Sequence, residues 1–197
     1  MNEPTILVPG FKDDAATLRR LVTFLEKAGL NPYPISPQPS DGAVGIDALA
    51  AQLADAINNA FGTQQPINLV GFSMGGLICR TYLQQLGGMA RTRCLITVAT
   101  PHQGTWTAYT YNRPACLQMR PGSTFLAELN EDFTRLEQVK FISIWTPLDL
   151  TILPATSSCL PVGEMLPVIS PFHAMLLFDP RILRMIAEGL HRSSSEQ

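Results

Sequence analysis

The chain is poor in charge. Only 15% of its 197 residues are Asp, Glu, Lys or Arg, and 14 basic against 16 acidic side chains leave a formal charge of −2. No cluster of lysine and arginine stands out, so the electrostatic footprint of a nucleic-acid binder is missing. Cysteine is sparse too. Cys79, Cys94, Cys116 and Cys159 make no CxxC pair and no zinc-ligand spacing. Cys79 and Cys94 fall in apolar helix and strand patterns and read as small core residues. Cys116 and Cys159 fall in loops that the fold can bring together, which leaves a disulfide between them open. No apolar run reaches the length of a membrane span. The first residues lack a basic segment, an apolar segment and a cleavage site, so the expectation, with Met1 as the natural start, is a cytoplasmic protein.

What the chain has is apolar content, 46% by residue, and an alternation of strand-like and helical stretches from end to end. No internal repeat interrupts it. That pattern predicts a single α/β domain over residues 1–197, a three-layer sandwich with a mostly parallel sheet between helices. The first strand is expected near Pro4–Val8. Asp13 or Asp14 then caps a helix with the stripe Leu18, Leu21, Val22 and Leu25, which Gly29 ends. A strand near Tyr33–Ile35 runs into Pro37 and Pro39, which suit a sheet edge. Helix 46–61 carries Leu49, Leu53, Ile57 and Phe61 on one face. Strands are expected from Ile67 into the pentapeptide that opens at Gly71, at 94–98 and at 139–145, with a last one within 164–169. A helix follows the third strand and runs to Gly87-Gly88. From Thr105 to about Gly122 no period is visible. Ser123 caps a short helix, and Asp179 with Pro180 opens a final one carrying Ile182, Leu183, Ile186 and Leu190. The tail 193–197 has nothing to bury and is expected to fray.

The stretch Ile67–Leu77 organises the rest. Its Gly71-x-Ser73-x-Gly75 pentapeptide lies between a strand and a helix, the context of a nucleophile elbow. There a serine hydroxyl stands on a sharp, strained turn, and glycines remove side chains that would strike the neighbouring strand or helix. An activated serine needs a base, and the base needs an orienting acid. In elbow architectures the order is serine, acid, histidine. Three histidines are available. His191 sits near the helical C-terminus by the tail. His102 follows the strand after the elbow and should lie near the site, but it precedes any acid. His173 lies between the last strand and the last helix, where the base belongs. Asp149, a few residues beyond strand 139–145, is the acid. Glu164 stands too close to the last strand, and Asp179 is accounted for as a cap. An oxyanion needs two backbone N–H donors. By position these are Met74, after the nucleophile, and Phe11, in the loop after the first strand.

Val8-Pro9-Gly10-Phe11, Gly71-Phe72-Ser73-Met74-Gly75-Gly76, Thr100-Pro101-His102-Gln103-Gly104-Thr105, Pro121-Gly122-Ser123, Asp149 and His173 occur in that order. Together they resemble the small bacterial triacylglycerol lipases and esterases of the α/β-hydrolase superfamily, over residues 4–190. The resemblance implies Ser73, Asp149 and His173 as catalytic triad, with Phe11 and Met74 as oxyanion donors. It departs from many relatives at Pro9-Gly10, where they carry His-Gly. It also implies a near-minimal domain without a large helical lid, although 105–120 has the length for a small flap. The expected substrate is an apolar acyl ester, met in some cases at a lipid interface, and the chemistry calls for no metal or organic cofactor. A thioesterase, an acyltransferase and a non-catalytic ligand-binding protein share the same residues and remain alternatives. Trp106, Tyr109, Phe72, Met74 and Met175 are candidates for an acyl surface or for ordinary packing.

Overall fold

A computed structural model describes residues 3–195, the last two by backbone alone. Six strands form one sheet in the order β2-β1-β3-β4-β5-β6. They are β1 (Pro4–Val8), β2 (Asn31–Pro34), β3 (Ile67–Phe72), β4 (Thr92–Val98), β5 (Lys140–Trp145) and β6 (Glu164–Pro167). Every neighbouring pair is parallel, with Val8 beside Gly71, Val98 beside Ile144 and Trp145 beside Pro167. Because all strands point one way, the loops after β1, β3, β4, β5 and β6 meet at one edge, where open α/β sheets place their ligands.

The central strands β1 and β3 are buried throughout, which is why they read as continuous apolar runs rather than as alternating ones. Helices cover both faces. One face packs Ile6, Leu69 and Leu95 against α2 (Ile46–Phe61), α3 (Met74–Gln85) and α5 (Thr124–Glu131). The other packs Leu7, Val70, Ile96 and Ile142 against α1 (Arg19–Lys27) and α6 (Pro180–Ser195). The alternation along each strand therefore sorts its residues between two separate cores. Strand β2 lies at the sheet edge and ends at Pro34, so its own prolines are Pro32 and Pro34, while Pro37 and Pro39 follow it.

Three boundaries differ from the sequence reading. Helix α1 starts at Arg19 rather than at the aspartates. Asp14 accepts from the Ala16 amide at 2.8 Å and Asp13 from the Thr17 hydroxyl at 3.2 Å, so both side chains stabilise turns ahead of the helix instead of capping it. The aperiodic stretch after Thr105 contains a 3₁₀ turn at Trp106–Thr110 and the short helix α4 (Pro114–Gln118). Helix α6 continues through Ser195, and Ser193 is buried with its hydroxyl donating to the Leu190 carbonyl at 2.7 Å, so the tail is not frayed from 193. Residues 196 and 197 lie outside the described residues. No described helix is long and apolar enough to cross a membrane.

Candidate active site

Ser73 sits between β3 and α3 with φ +53° and ψ −123°, a conformation that costs a non-glycine residue energy and persists only where its surroundings enforce it. The surroundings are glycines in close contact. A Cβ on Gly71 would lie 2.5 Å from the Gly76 Cα, and one on Gly75 would lie 2.5 Å from the Pro9 carbonyl oxygen. Both approaches are closer than any side chain allows, so strand, elbow and helix can pack this tightly only with glycine there. The Ser73 amide donates to the Val98 carbonyl at 2.8 Å and fixes the turn to β4.

Asp149 and His173 come from the loops after β5 and β6. His173 Nδ1 donates to Asp149 Oδ2 at 2.8 Å, and Asp149 is buried. The other carboxylate oxygen, Oδ1, accepts the amides of Thr151 at 2.8 Å and Ile152 at 2.9 Å. The aspartate is thus held by its own loop, and the imidazole by the aspartate. With Nδ1 committed as donor, the Nε2 lone pair is left to accept a proton. The His173 ring stands 5.0 Å from the Phe72 ring, and Phe72 immediately precedes Ser73. A second loop braces the first. The Thr105 hydroxyl donates to the Thr151 carbonyl at 2.9 Å and accepts from the Leu153 amide at 2.8 Å. This role of Thr105 was not foreseen from the sequence, where it appears only as the last letter of the Thr-Pro-His-x-Gly-Thr segment.

The loop after β1 passes directly over the elbow. A Cβ on Gly10 would meet Ser73 Cβ and Asp13 Oδ2, each at 3.1 Å. Pro9 has no side-chain anchor, and backbone bonds serve instead: Lys12 donates to the Ser40 carbonyl at 2.9 Å and Asp13 to the Gly10 carbonyl at 3.2 Å. The amides of Phe11 and of Met74, the first residue of α3, have no protein acceptor among the described residues. Both are therefore available to a ligand oxygen. Phe11 also touches Tyr111 of the 105–122 stretch, with ring centroids 5.5 Å apart.

A cavity of about 160 Å³ opens at Ser73, lined by Phe11, Thr105, Ala108, Cys116, Met119 and Ile152 among others. Its apolar wall is not the set suggested by the sequence. Phe72 and Met74 are buried in the core, and Trp106, Tyr109 and Met175 are exposed. Cys116 and Cys159 are both free thiols, with Cys116 on the cavity wall, so no disulfide joins them. His102, passed over as the base because it precedes the acid in the chain, has a structural setting. It is fully buried, with Nδ1 3.3 Å from the Arg80 guanidinium and Nε2 3.1 Å from the Thr97 hydroxyl. Burial and the Arg80 charge hold it well below the usual histidine range, as a neutral group. Glu164 reaches Arg192 at 3.1 Å, away from His173. No group of three or more His, Cys, Asp and Glu side chains among the described residues could hold a metal ion.

The sequence profile of the palmitoyl protein thioesterases matches residues 4–146, well over half of the chain. The chain belongs to the palmitoyl protein thioesterase family. The matched segment contains the elbow and the Phe11 loop and stops short of Asp149 and His173. No curated protein matches the chain in sequence. Solved structures that share its fold include the mature lipase BlEst2 of Bacillus licheniformis, at 16% identity and a TM-score of 0.79, covering 96% of this chain and 92% of that one. Lipase B of Aspergillus fumigatus aligns at 18% identity and a TM-score of 0.80 over 96% of this chain, which spans only 52% of the fungal lipase. The metagenomic carboxyl esterase MGS0156 aligns at 13% identity and a TM-score of 0.78, over 100% of this chain and 76% of its own. The family match makes the chain a hydrolase, and its likeness to these lipases and esterases is one of fold.

Proposed function

We propose that the chain is a serine carboxylic-ester hydrolase, triacylglycerol lipase-like in its chemistry, that cleaves apolar acyl esters through an acyl-enzyme on Ser73. The observation that carries this reading is the 2.8 Å Asp149–His173 pair at the same sheet edge as the strained elbow serine. In this reading Ser73 Oγ attacks the ester carbonyl while His173 Nε2 takes its proton. Asp149 holds the imidazole in the Nδ1–H tautomer and stabilises its positive charge. The Phe11 and Met74 amides receive the negative charge on the former carbonyl oxygen. His173 then returns the proton to the leaving alcohol and activates a water that releases the acid from Ser73.

A cavity near 160 Å³ is about the volume that admits a benzene-sized guest, so the snug acyl portion is roughly six carbons long. Longer chains would extend over Trp106, Leu150, Ile169 and Phe172, exposed apolar side chains on the same edge. That rim suits a substrate met at a lipid interface. Family membership favours a second reading, hydrolysis of thioesters by the same acyl-enzyme route.

The test is hydrolysis of p-nitrophenyl esters of increasing acyl length, set beside matched thioesters, by the wild type and Ser73→Ala. The expected result is a loss on the order of 10⁴-fold or more in kcat for the variant and an optimum at short to medium chains. Equal rates in both folded proteins would overturn the serine mechanism. A thioester preference that survives correction for leaving-group reactivity would move the assignment to the second reading.

A further inference from the structure

Asp13 is a carboxylate at the site that the triad does not use. It is half-buried on the loop after β1, and its Oδ2 and the Ser73 Cβ both lie 3.1 Å from the point above Gly10 where a Cβ would stand. Its Oδ1 accepts from the Thr17 hydroxyl at 3.2 Å, which fixes the carboxylate's orientation. No lysine or arginine forms an ion pair with it among the described residues. The adjacent Lys12 is turned away, donating to the Tyr111 hydroxyl at 2.9 Å. The other ionisable groups that act on Asp13 are its neighbour Asp14 and His173.

Position decides what such a group can do. In serine-esterase chemistry the base hands its proton to the leaving alcohol, so the side of Ser73 that faces the imidazole is the leaving-group side. Asp13 is close enough to His173 for the two to interact electrostatically, and it is not among the residues that line the acyl-sized cavity.

We propose that Asp13 is a specificity-determining carboxylate on the leaving-group side of Ser73, favouring esters whose alcohol carries a cationic group near the ester oxygen and disfavouring anionic ones. The proposal rests on the serine-hydrolase reading above. A cation two carbons from the ester oxygen meets a fixed, half-buried negative charge in place of water, and an anion there meets repulsion. A half-exposed setting limits the effect to about fivefold per charge. Burial raises the Asp13 carboxyl above the ordinary range, the largest influence on it, while Thr17, a charged His173 and the Gly10 backbone pull it back. The preference therefore fades as pH falls, beginning above the range in which an unperturbed aspartate protonates.

The experiment measures kcat/KM for three butyrate esters: the choline ester, its neutral isostere 3,3-dimethylbutyl butyrate, and the anionic carboxymethyl ester. At pH 8 the wild type is expected to favour the cationic over the neutral ester about fivefold, with the anionic ester last. Asp13→Asn, which keeps the shape and the Thr17 contact, is expected to bring all three ratios close to one. Ratios that stay put in the variant, including a uniform loss on all three esters, would overturn the proposal. Should Asp13→Asn not fold, the wild type alone decides. Its cationic-to-neutral ratio cancels every step common to the two esters and must fall between pH 8 and pH 5, and a flat ratio overturns the idea. Ser73→Ala run alongside separates the two levels, because activity that survives that change removes the serine mechanism itself rather than the role of Asp13.

Discussion

Two histidines follow strands of the same parallel sheet at the same edge, and their surroundings give them opposite roles. His173 has a buried carboxylate on Nδ1 and nothing bonded to Nε2 among the described residues. His102 has both ring nitrogens committed, one to a guanidinium and one to a threonine hydroxyl, with no exposure at all. A carboxylate behind the ring makes the imidazolium affordable at the moment it forms. A guanidinium makes it prohibitive. Arg80 itself is fully buried and pairs with no carboxylate among the described residues. It is held by Gln84 at 3.0 Å and the Leu129 carbonyl at 3.0 Å, and burial draws its basicity down to about 9. That network ties α3, which begins just after Ser73, to α5 and the loop after β4. In the proposed mechanism one imidazole moves protons; the other accepts a hydrogen bond from a cation and stays neutral.

The comparison breaks most sharply at the partners. Asp149→Asn keeps an acceptor for the Thr151 and Ile152 amides but no longer favours the Nδ1–H tautomer of His173. The expected loss in kcat is on the order of 10⁴-fold with KM little changed, measured on a short p-nitrophenyl ester with folding checked by circular dichroism. A decrease of less than tenfold would mean that Asp149 is not the orienting acid. His102→Ala should do the reverse. It removes a buried ring packed 5.8 Å from Phe141 and leaves Arg80 short of an acceptor. The expected cost is about 3 kcal/mol of stability in urea unfolding, while the folded fraction keeps kcat within about threefold. A collapse of kcat in the folded protein would place His102 in the chemistry after all.

Much of this was legible in the chain, for physical reasons. The strands β1 and β3 announce themselves because both faces are buried, and the elbow because glycine is required where backbones approach within side-chain distance. Ser123 caps α5 as its residue type suggests, accepting the Leu126 amide at 3.2 Å. The location of His102 was not legible. Its place after β4 puts it at the right edge but does not say whether it turns toward solvent or under α3. Asp13 read as a helix cap, because local side-chain bonding and a place beside the nucleophile leave the same mark in the sequence. The 105–122 stretch concealed two short helical turns, since so few residues cannot display a period. The cavity wall was hidden for the same reason: Cys116 and Met119 reach Ser73 only through the way those turns fold back.

A smaller test concerns how His173's side of the comparison is held in place. Thr105 is expected to matter through its hydroxyl alone. Thr105→Val strands the Leu153 amide, leaves the Thr151 carbonyl to the Thr107 hydroxyl alone at 2.6 Å, and loosens the loop whose amides grip Asp149. We expect about 1–2 kcal/mol of lost stability and a roughly tenfold lower kcat. Thr105→Ser should restore most of both. Valine without effect would mean that Asp149, the Thr107 hydroxyl and the Trp106 amide suffice to fix the loop.

The smallest effect belongs to His102 and is read as pH dependence of stability. The folded protein holds this group well below 6.5, and the unfolded chain does not. Below about pH 6.5 the unfolded state therefore binds a proton that the folded state refuses, so unfolding becomes easier as pH falls. The slope from this one group approaches about 1.4 kcal/mol per pH unit. The contribution is fully present above pH 6.5 and drains away only below it, the opposite sense to a histidine stabilised by a carboxylate. Urea unfolding at pH 7.5 and pH 5.5 for the wild type and His102→Gln isolates it by difference, since every other titrating group is common to both. A wild type no steeper than the variant would mean that His102 takes up its proton inside the fold, and the contrast between the two imidazoles would then rest on geometry without the electrostatics.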